Sequence, residues 1–234
     1  MSESVQYELA GEVAILRIDD GKANALDFSI IDSLNDGLLR AEKEAAAVLL
    51  TGRAGRFSAG FNLGVLRDGG PDVARGLVTA GAELSMHIAR HPTPVVIACN
   101  GHALAMGAVL LLAADLRIGA SGDFKIGFNE VAIGMATPVF LAEFARERLS
   151  KRHLQRATVQ AEIYPPESAV DAGFLDRVIA PDDLLACALE ESQRLGQLPR
   201  AAFARTRQIL RGGVVERIEA TLADDMAGAF PTGS

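Results

Sequence analysis

The sequence predicts a layered α/β domain, and three observations carry that expectation. Short apolar runs of strand length alternate with longer segments whose apolar residues recur at helical spacing, the pattern of a sheet covered by helices. Hydrophobic residues make up 49% and charged residues 23% of the 234 residues, enough to bury a substantial core in one large domain or a domain with an appendage. Trp is absent and aromatic residues are only 5%, so that core has to be aliphatic.

The elements follow in chain order. Val5 to Ile18 holds two alternating apolar and polar runs separated by Ala10-Gly11-Glu12, which predicts an antiparallel hairpin with one buried face. From Phe28, residues Ile30, Ile31, Leu34, Leu38 and Ala41 share one helical face, with Asp27 or Ser29 placed to cap its start. Ala47 to Thr51 reads as a buried strand, Val73 to Arg90 as a helix, Pro94 to Cys99 and Leu116 to Ile118 as short strands. The longest apolar run, Ala103 to Ala114, is too short to span a bilayer; from Met106 it reads as a buried helix. After Pro138, residues Phe140, Leu141, Phe144, Ala145 and Leu149 take helical spacing. From Lys151 the chain reads mostly as helix, broken by Pro165-Pro166 and a strand at Asp176 to Ile179. A small helical subdomain is expected from Pro181, with Ala227 to Ser234 frayed.

Bulk chemistry removes several classes of function. A net charge of −7 works against a nucleic-acid partner, which draws on clustered Lys and Arg. Cys99 and Cys187 have no metal-like spacing and read as reduced thiols. His87, His91, His102 and His153 form no zinc pattern, so no metal is expected. The first eight residues lack a basic segment followed by an apolar core, which predicts a cytoplasmic protein with no secretory leader and no membrane partner. Gly55 to Gly60 has the glycine spacing of a phosphate loop, but Phe61 stands where a lysine is needed. Glu143 and Glu147, among Arg146 and Arg148, read as a solvated helix face with local charge pairs.

The segment Asp123 to Pro138 is the most informative. Glu130 lies there among apolar and small residues with no cation between it and Pro138, and desolvation makes such a carboxyl less acidic and a candidate proton carrier. Two small-residue turns, Arg56-Phe-Ser-Ala-Gly60 and Asn100-Gly-His-Ala-Leu-Ala-Met-Gly107, could offer main-chain amides to a developing negative charge. Removing the α-proton of a thioester needs both parts, a base and donors for the enolate oxygen.

Together, Phe57-Ser-Ala-Gly60, Asn100-Gly-His-Ala-Leu104 with its following helix, and Asp171 to Val178 resemble the crotonase, or enoyl-CoA hydratase/isomerase, superfamily over residues 5 to 215. The resemblance implies a spiral of ββα units over residues 1–180 and a C-terminal helical oligomerisation region over 181–234. It implies an acyl-CoA thioester as substrate, no cofactor beyond the coenzyme A that the substrate carries, and a homotrimer or dimer of trimers. It places one oxyanion donor at Ala59 and the second at Met106, where most members have glycine. Hydratases of the family set two glutamates around the added water; here the first is replaced by Val109, which can neither activate water nor transfer a proton. Gly127-Phe-Asn-Glu130, Ala136 to Phe140 and Tyr164 to Ala169 instead resemble 3,2-trans-enoyl-CoA isomerases, in which one base shuttles the proton. The implied roles are Glu130 as that base, and Phe61, Leu63, Val109 and Phe140 as dry walls. The Lys22-Ala23-Asn24-Ala25-Leu26 loop would meet the adenine through its main chain, with Lys22 or Arg56 near phosphate. Hydratase-like or other enolate chemistry, and a non-catalytic CoA-binding subunit, stand as alternatives.

Overall fold

The computed structural model describes residues 4–229. In chain order it contains β1 (Val5–Ala10), β2 (Val13–Ile18), β3 (Ala25–Leu26), α1 (Phe28–Glu44), β4 (Ala47–Thr51), β5 (Gly55–Ser58), β6 (Gly60–Phe61), α2 (Leu63–Asp68), α3 (Gly70–Arg90), β7 (Val95–Cys99) and β8 (Gly101–Leu104). There follow α4 (Met106–Ala113), β9 (Leu116–Ala120), β10 (Ile126–Gly127), α5 (Val139–Arg148), α6 (Leu154–Thr158), α7 (Pro166–Ala172), β11 (Arg177–Ile179), α8 (Leu184–Gly196) and α9 (Arg200–Ala229). Of the stretch expected to fray, 230–234 lies outside the described residues and the rest completes α9. Among the described residues no helix is long and apolar enough to cross a membrane.

Six strands form the main sheet in the order β1-β2-β4-β7-β9-β11. β1 and β2 make the predicted antiparallel hairpin, and every later pair is parallel. A parallel sheet needs cover on both faces, and the alternation along its strands supplies it. Ala14, Leu16, Val48, Leu50, Val95 and Ile97 point into the larger core with α1, α3, α4 and α5. Val13, Ile15, Ala47, Leu49, Val96 and Ala98 point into a second core closed by Leu184 and Ala188 of α8. Asp27 caps α1, its side chain accepting from Ile30 N at 3.0 Å.

Three times the chain leaves this sheet through a second, shorter strand and then turns into helix: β4 to β5, β7 to β8 and β9 to β10. The shorter strands assemble into their own sheet in the order β10-β8-β5, giving the expected spiral of ββα units. Local pattern reads β5 and β8 as turns, because they are short and built from small or polar residues; non-local parallel pairing makes them strands.

Each residue of α4 is buried, as an all-apolar helix requires. Its C-terminal carbonyls are met by guanidinium groups: Arg211 donates to Leu112 O at 2.9 Å and to Ala113 O and Ala114 O at 3.2 Å, and Arg148 donates to Leu112 O at 3.2 Å and to Ala114 O. Burial, then the neighbouring Arg211 and Arg117 charges, push Arg148 down to about 10, so it remains a cation at neutral pH and suits the negative end of the helix. Arg211 comes from α9, which also lies along α5. There the expectation for Glu143 and Glu147 is corrected. Glu143 is only 7% exposed and pairs with Arg217 at 2.6 Å as well as with Arg146, while Glu147 pairs with Arg211 at 2.9 Å. The Arg146 pair is the local one expected, whereas those with Arg217 and Arg211 are tertiary contacts, invisible to helical spacing. At the start of α5, Pro138 makes no side-chain cap; the Asp225 carboxylate of α9 accepts from Val139 N at 2.8 Å in its place.

β9 is tied to the α7–β11 connection by Arg117, which is buried and donates to both Asp176 oxygens, at 3.0 and 2.6 Å, and to Gly173 O at 2.7 Å. Burial opposes the Asp176 charge, yet the guanidinium outweighs it and holds the carboxyl below its ordinary range. The Asp176 side chain is 35% exposed and also accepts the Arg117 main-chain N–H at 2.8 Å, so losing the guanidinium costs less than breaking a fully buried pair. Arg117→Ala is therefore expected to lower the unfolding free energy by roughly 1–3 kcal/mol, measured by urea denaturation; a loss near zero would show that the pair does not hold this edge.

Candidate active site

Two turns meet main chain to main chain at the centre of the spiral. A β-carbon built on Gly60 would lie 2.7 Å from the Ala105 β-carbon and 3.2 Å from Met106 N, and one on Gly107 would lie 2.5 Å from Ser58 O. Only glycine permits this approach at both points. The Ser58 to Phe61 turn is held from behind by Asn24, which is fully buried with φ 54°. Its amide donates to Ile18 O, Arg56 O and Phe57 O at 2.9 to 3.1 Å, and Ser58 Oγ donates to Asn24 O at 2.8 Å. Asn24 is the residue that the motif reading passed over; the sign of it is a lone Asn in a tight loop, the residue type besides Gly that best tolerates this conformation.

Of the two expected main-chain donors, Met106 is free and Ala59 is not. Ala59 N–H is spent inside the protein, donating to Ala23 O at 3.0 Å, which corrects its assignment as a ligand donor. Asn62 N–H donates to Leu26 O at 2.8 Å, completing the parallel β3–β6 pair in which Leu26 faces Phe61. N–H groups along such a strand turn to its partner at alternate residues, so Phe61 N–H is directed away from β3. Met106 N–H is the first of α4 and has no partner within the helix. Methionine is tolerated there because Met106 is helical; the unusual backbone, φ 50° and ψ −124°, falls on Ala105.

Glu130 is brought to the same place by β10, which pairs with β8 and accepts Ala105 N–H on Gly127 O at 3.0 Å. Phe128 anchors this approach edge-to-face on Phe174, ring centres 5.1 Å apart. Glu130 then opens a single 3₁₀ turn, Val131–Ile133. It is 8% exposed, its Oε2 has no hydrogen-bond partner, and burial pushes its pKa up to about 7, main-chain hydrogen bonds at Glu130 and Asn129 offsetting part of the rise.

A cavity of about 340 Å³ joins these parts. Ala59, Phe61, Leu63, Met106, Val109, Glu130 and Phe140 all line it, and Glu130 is the one carboxylate among the described lining residues. Val109 and Phe140 are buried, whereas Leu63 is 49% exposed and stands at the rim. Asn129, whose Oδ1 is also unpartnered, and Met135, Leu141 and Ala229 complete walls that the sequence does not reveal. Lys22, Ala23, Ala25, Leu26 and Arg56 do not line the cavity. Lys22 and Arg56 are exposed, and Leu26 is fully buried with its carbonyl engaged by Asn62. His102 is half-buried outside it, its Nδ1 accepting from Lys125 N at 2.9 Å. No cluster of three His, Cys, Asp or Glu suited to a metal occurs among the described residues.

The arrangement sets one base of near-neutral pKa beside an unpartnered helix N-terminus in an apolar enclosure, a combination suited to forming and holding an enolate. Comparison with known proteins agrees in kind. A family model described as enoyl-CoA hydratase/isomerase matches residues 8–228. The mitochondrial enoyl-CoA delta isomerase 1 of Homo sapiens is 25% identical over 218 residues, 92% of this chain and 72% of that protein. A short-chain-enoyl-CoA hydratase of Clostridium acetobutylicum is 26% identical over 225 residues, 94% and 85% of the two chains. The crystal structure of an enoyl-CoA hydratase/isomerase family protein from Pseudomonas syringae superposes with a TM-score of 0.94 at 38% identity, covering 97% of this chain and 98% of that one.

Because the fold raises the Glu130 pKa from its ordinary 4.5 to about 7, it favours the protonated form. That stability is fully present below pH 4.5, is lost as pH rises to about 7, and leaves a burden of order 3 kcal/mol on the ionised protein. Glu130→Gln is expected to raise Tm at pH 8 and to leave it nearly unchanged at pH 4.5; thermal melts at the two values check this, and equal effects would contradict a raised pKa.

Proposed function

The chain belongs to the enoyl-CoA hydratase/isomerase family, and from that premise we propose that it moves the double bond of a 3-enoyl-CoA to the trans-2 position. The observation that carries this reading is the buried carboxylate of Glu130, the one carboxylate among the described residues lining an apolar cavity that Val109 also lines, at the N-terminus of α4.

In the proposed reaction the thioester oxygen lies between Phe61 N–H and Met106 N–H. Glu130 removes a proton from the α-carbon, the electron pair spreads over the dienolate, and the oxygen's charge is met by the two donors and the positive end of α4. The same carboxyl, now protonated, returns the proton to the γ-carbon, so the acyl group gains and loses nothing. Apolar walls from Val109, Phe61, Phe140 and Leu141 keep water from adding to the product and keep the base strong. Hydration has a relative in its favour, but it needs a second proton-transferring group where Val109 stands. Lys22 and Arg56, both exposed, are proposed to meet the phosphates of the coenzyme A portion, and the Lys22 to Leu26 loop to border its adenine.

We further propose a homotrimer or dimer of trimers. Ile209 and Leu210 on α9 are 67% and 77% exposed, large apolar side chains left uncovered on one turn of that helix.

Assays with 3-hexenoyl-CoA and, separately, crotonyl-CoA test the reaction: migration without hydration is expected, and hydration of crotonyl-CoA at comparable rate would reject it. Glu130→Gln should lower kcat by roughly 10²- to 10⁴-fold; full turnover in that variant would dismiss the mechanism. Since the base must be ionised, kcat/KM should fall on the acid side with a midpoint near 7, set by the buried Glu130. Light scattering on a sizing column should give three or six chains, and Leu210→Glu should yield smaller species.

A further inference from the structure

Ala105, Asn24 and Ala161 are the described non-glycine residues with positive φ. Of these, Ala105 lines the cavity, and its φ of 50° with ψ −124° is a conformation that glycine accepts and a β-carbon resists. Such a backbone persists only where its surroundings over-determine it. Here Ala105 N–H donates to Gly127 O at 3.0 Å, and its carbonyl accepts from Ala108 N at 2.9 Å and Val109 N at 3.1 Å.

The methyl group occupies a specific place. It fills the space beside Gly60 that a second β-carbon would contest at 2.7 Å, and so stands between the turn ending in Phe61 and the turn leading to Met106. Nothing about helix α4 requires that methyl, since the residue precedes its first turn and offers no side-chain cap.

We propose that Ala105 is a positioning residue: its β-carbon, held in a strained backbone, is the spacer that fixes the distance between the Phe61 and Met106 N–H groups so that both reach one enolate oxygen. The inference rests on reading the cavity as a thioester-enolate site. It has an unusual signature. Ala105→Gly relieves the backbone and removes the spacer together, so stability rises while the rate falls, whereas a residue that only packs would lose stability on truncation.

The test uses the full-length protein and two reactions, exchange of the α-proton of hexanoyl-CoA in D₂O, followed by mass spectrometry, and isomerisation of 3-hexenoyl-CoA. Ala105→Gly is expected to melt about 2–4 °C higher and to lose roughly 10- to 100-fold in kcat for exchange with KM unchanged; Ala105→Ser, which keeps the β-carbon, should retain the wild-type kcat. Unchanged kcat in Ala105→Gly, or a lower melting point, overturns the proposal. Wild-type protein that exchanges the α-proton without shifting a double bond rejects the isomerase reading, and the same Ala105→Gly loss in exchange then still supports the spacer. Wild-type protein that does neither overturns both.

Discussion

Where Gly60 meets Ala105 and Ser58 meets Gly107, two turns touch with nothing larger than the Ala105 methyl beside Gly60, and this contact decides what can be built around it. Side chains larger than hydrogen at Gly60 and Gly107 would force the turns apart. Because the turns come from consecutive ββα units, their contact also aligns those units, so that β5 and β8 share a sheet and α4 starts at the centre of the spiral. A helix N-terminus in such a place, with its first N–H groups unbonded and water largely excluded, is a fixed source of positive potential. The raised pKa of Glu130 follows from the same enclosure. The open helix N-terminus and the enclosure around Glu130 are thus both tied to one close approach.

Polar groups taken into this interior are satisfied from a distance along the chain. Asn24 gives its amide hydrogens to three carbonyls in two different segments. Arg211 and Arg148 close the carbonyls at the far end of α4, and Asp225 supplies the cap that Pro138 cannot. Of the six buried side-chain polar atoms left without a partner among the described residues, the Glu130 and Asn129 oxygens are the two whose residues line the cavity. An unmet acceptor in an apolar wall costs free energy, and its presence at the place where the reaction is proposed is what a site prepared for a ligand requires.

Much of this was legible in the sequence because it depends on short-range pattern. The β1–β2 hairpin, α1 with its Asp27 cap, the aliphatic β4 and β7, the fully apolar α4 and the isolated acid at 130 all announce themselves through neighbours a few residues away. What local pattern could not reveal depends on partners elsewhere. β3, β6 and β10 are two residues long and exist only through their pairing. Which amide of the Ser58 to Phe61 turn is free is settled by the carbonyls of Ala23 and Leu26, so the motif alone pointed to Ala59 where the ladder leaves Phe61. Glu143 and Glu147 look solvated until α9 is laid across them.

The dependence of α4 and α5 on α9 bears on how the molecule matures. Arg211 and Asp225 are made after everything they hold, and synthesis delivers the chain to the cell from its N-terminus onward. A nascent polypeptide can therefore carry Phe61, Met106 and Glu130 outside the ribosome while the carbonyl end of α4 and the amide end of α5 still lack their partners. Completion of the cavity walls therefore waits on α9, and a chain that has not yet reached it leaves the ends of α4 and α5 without these bonds.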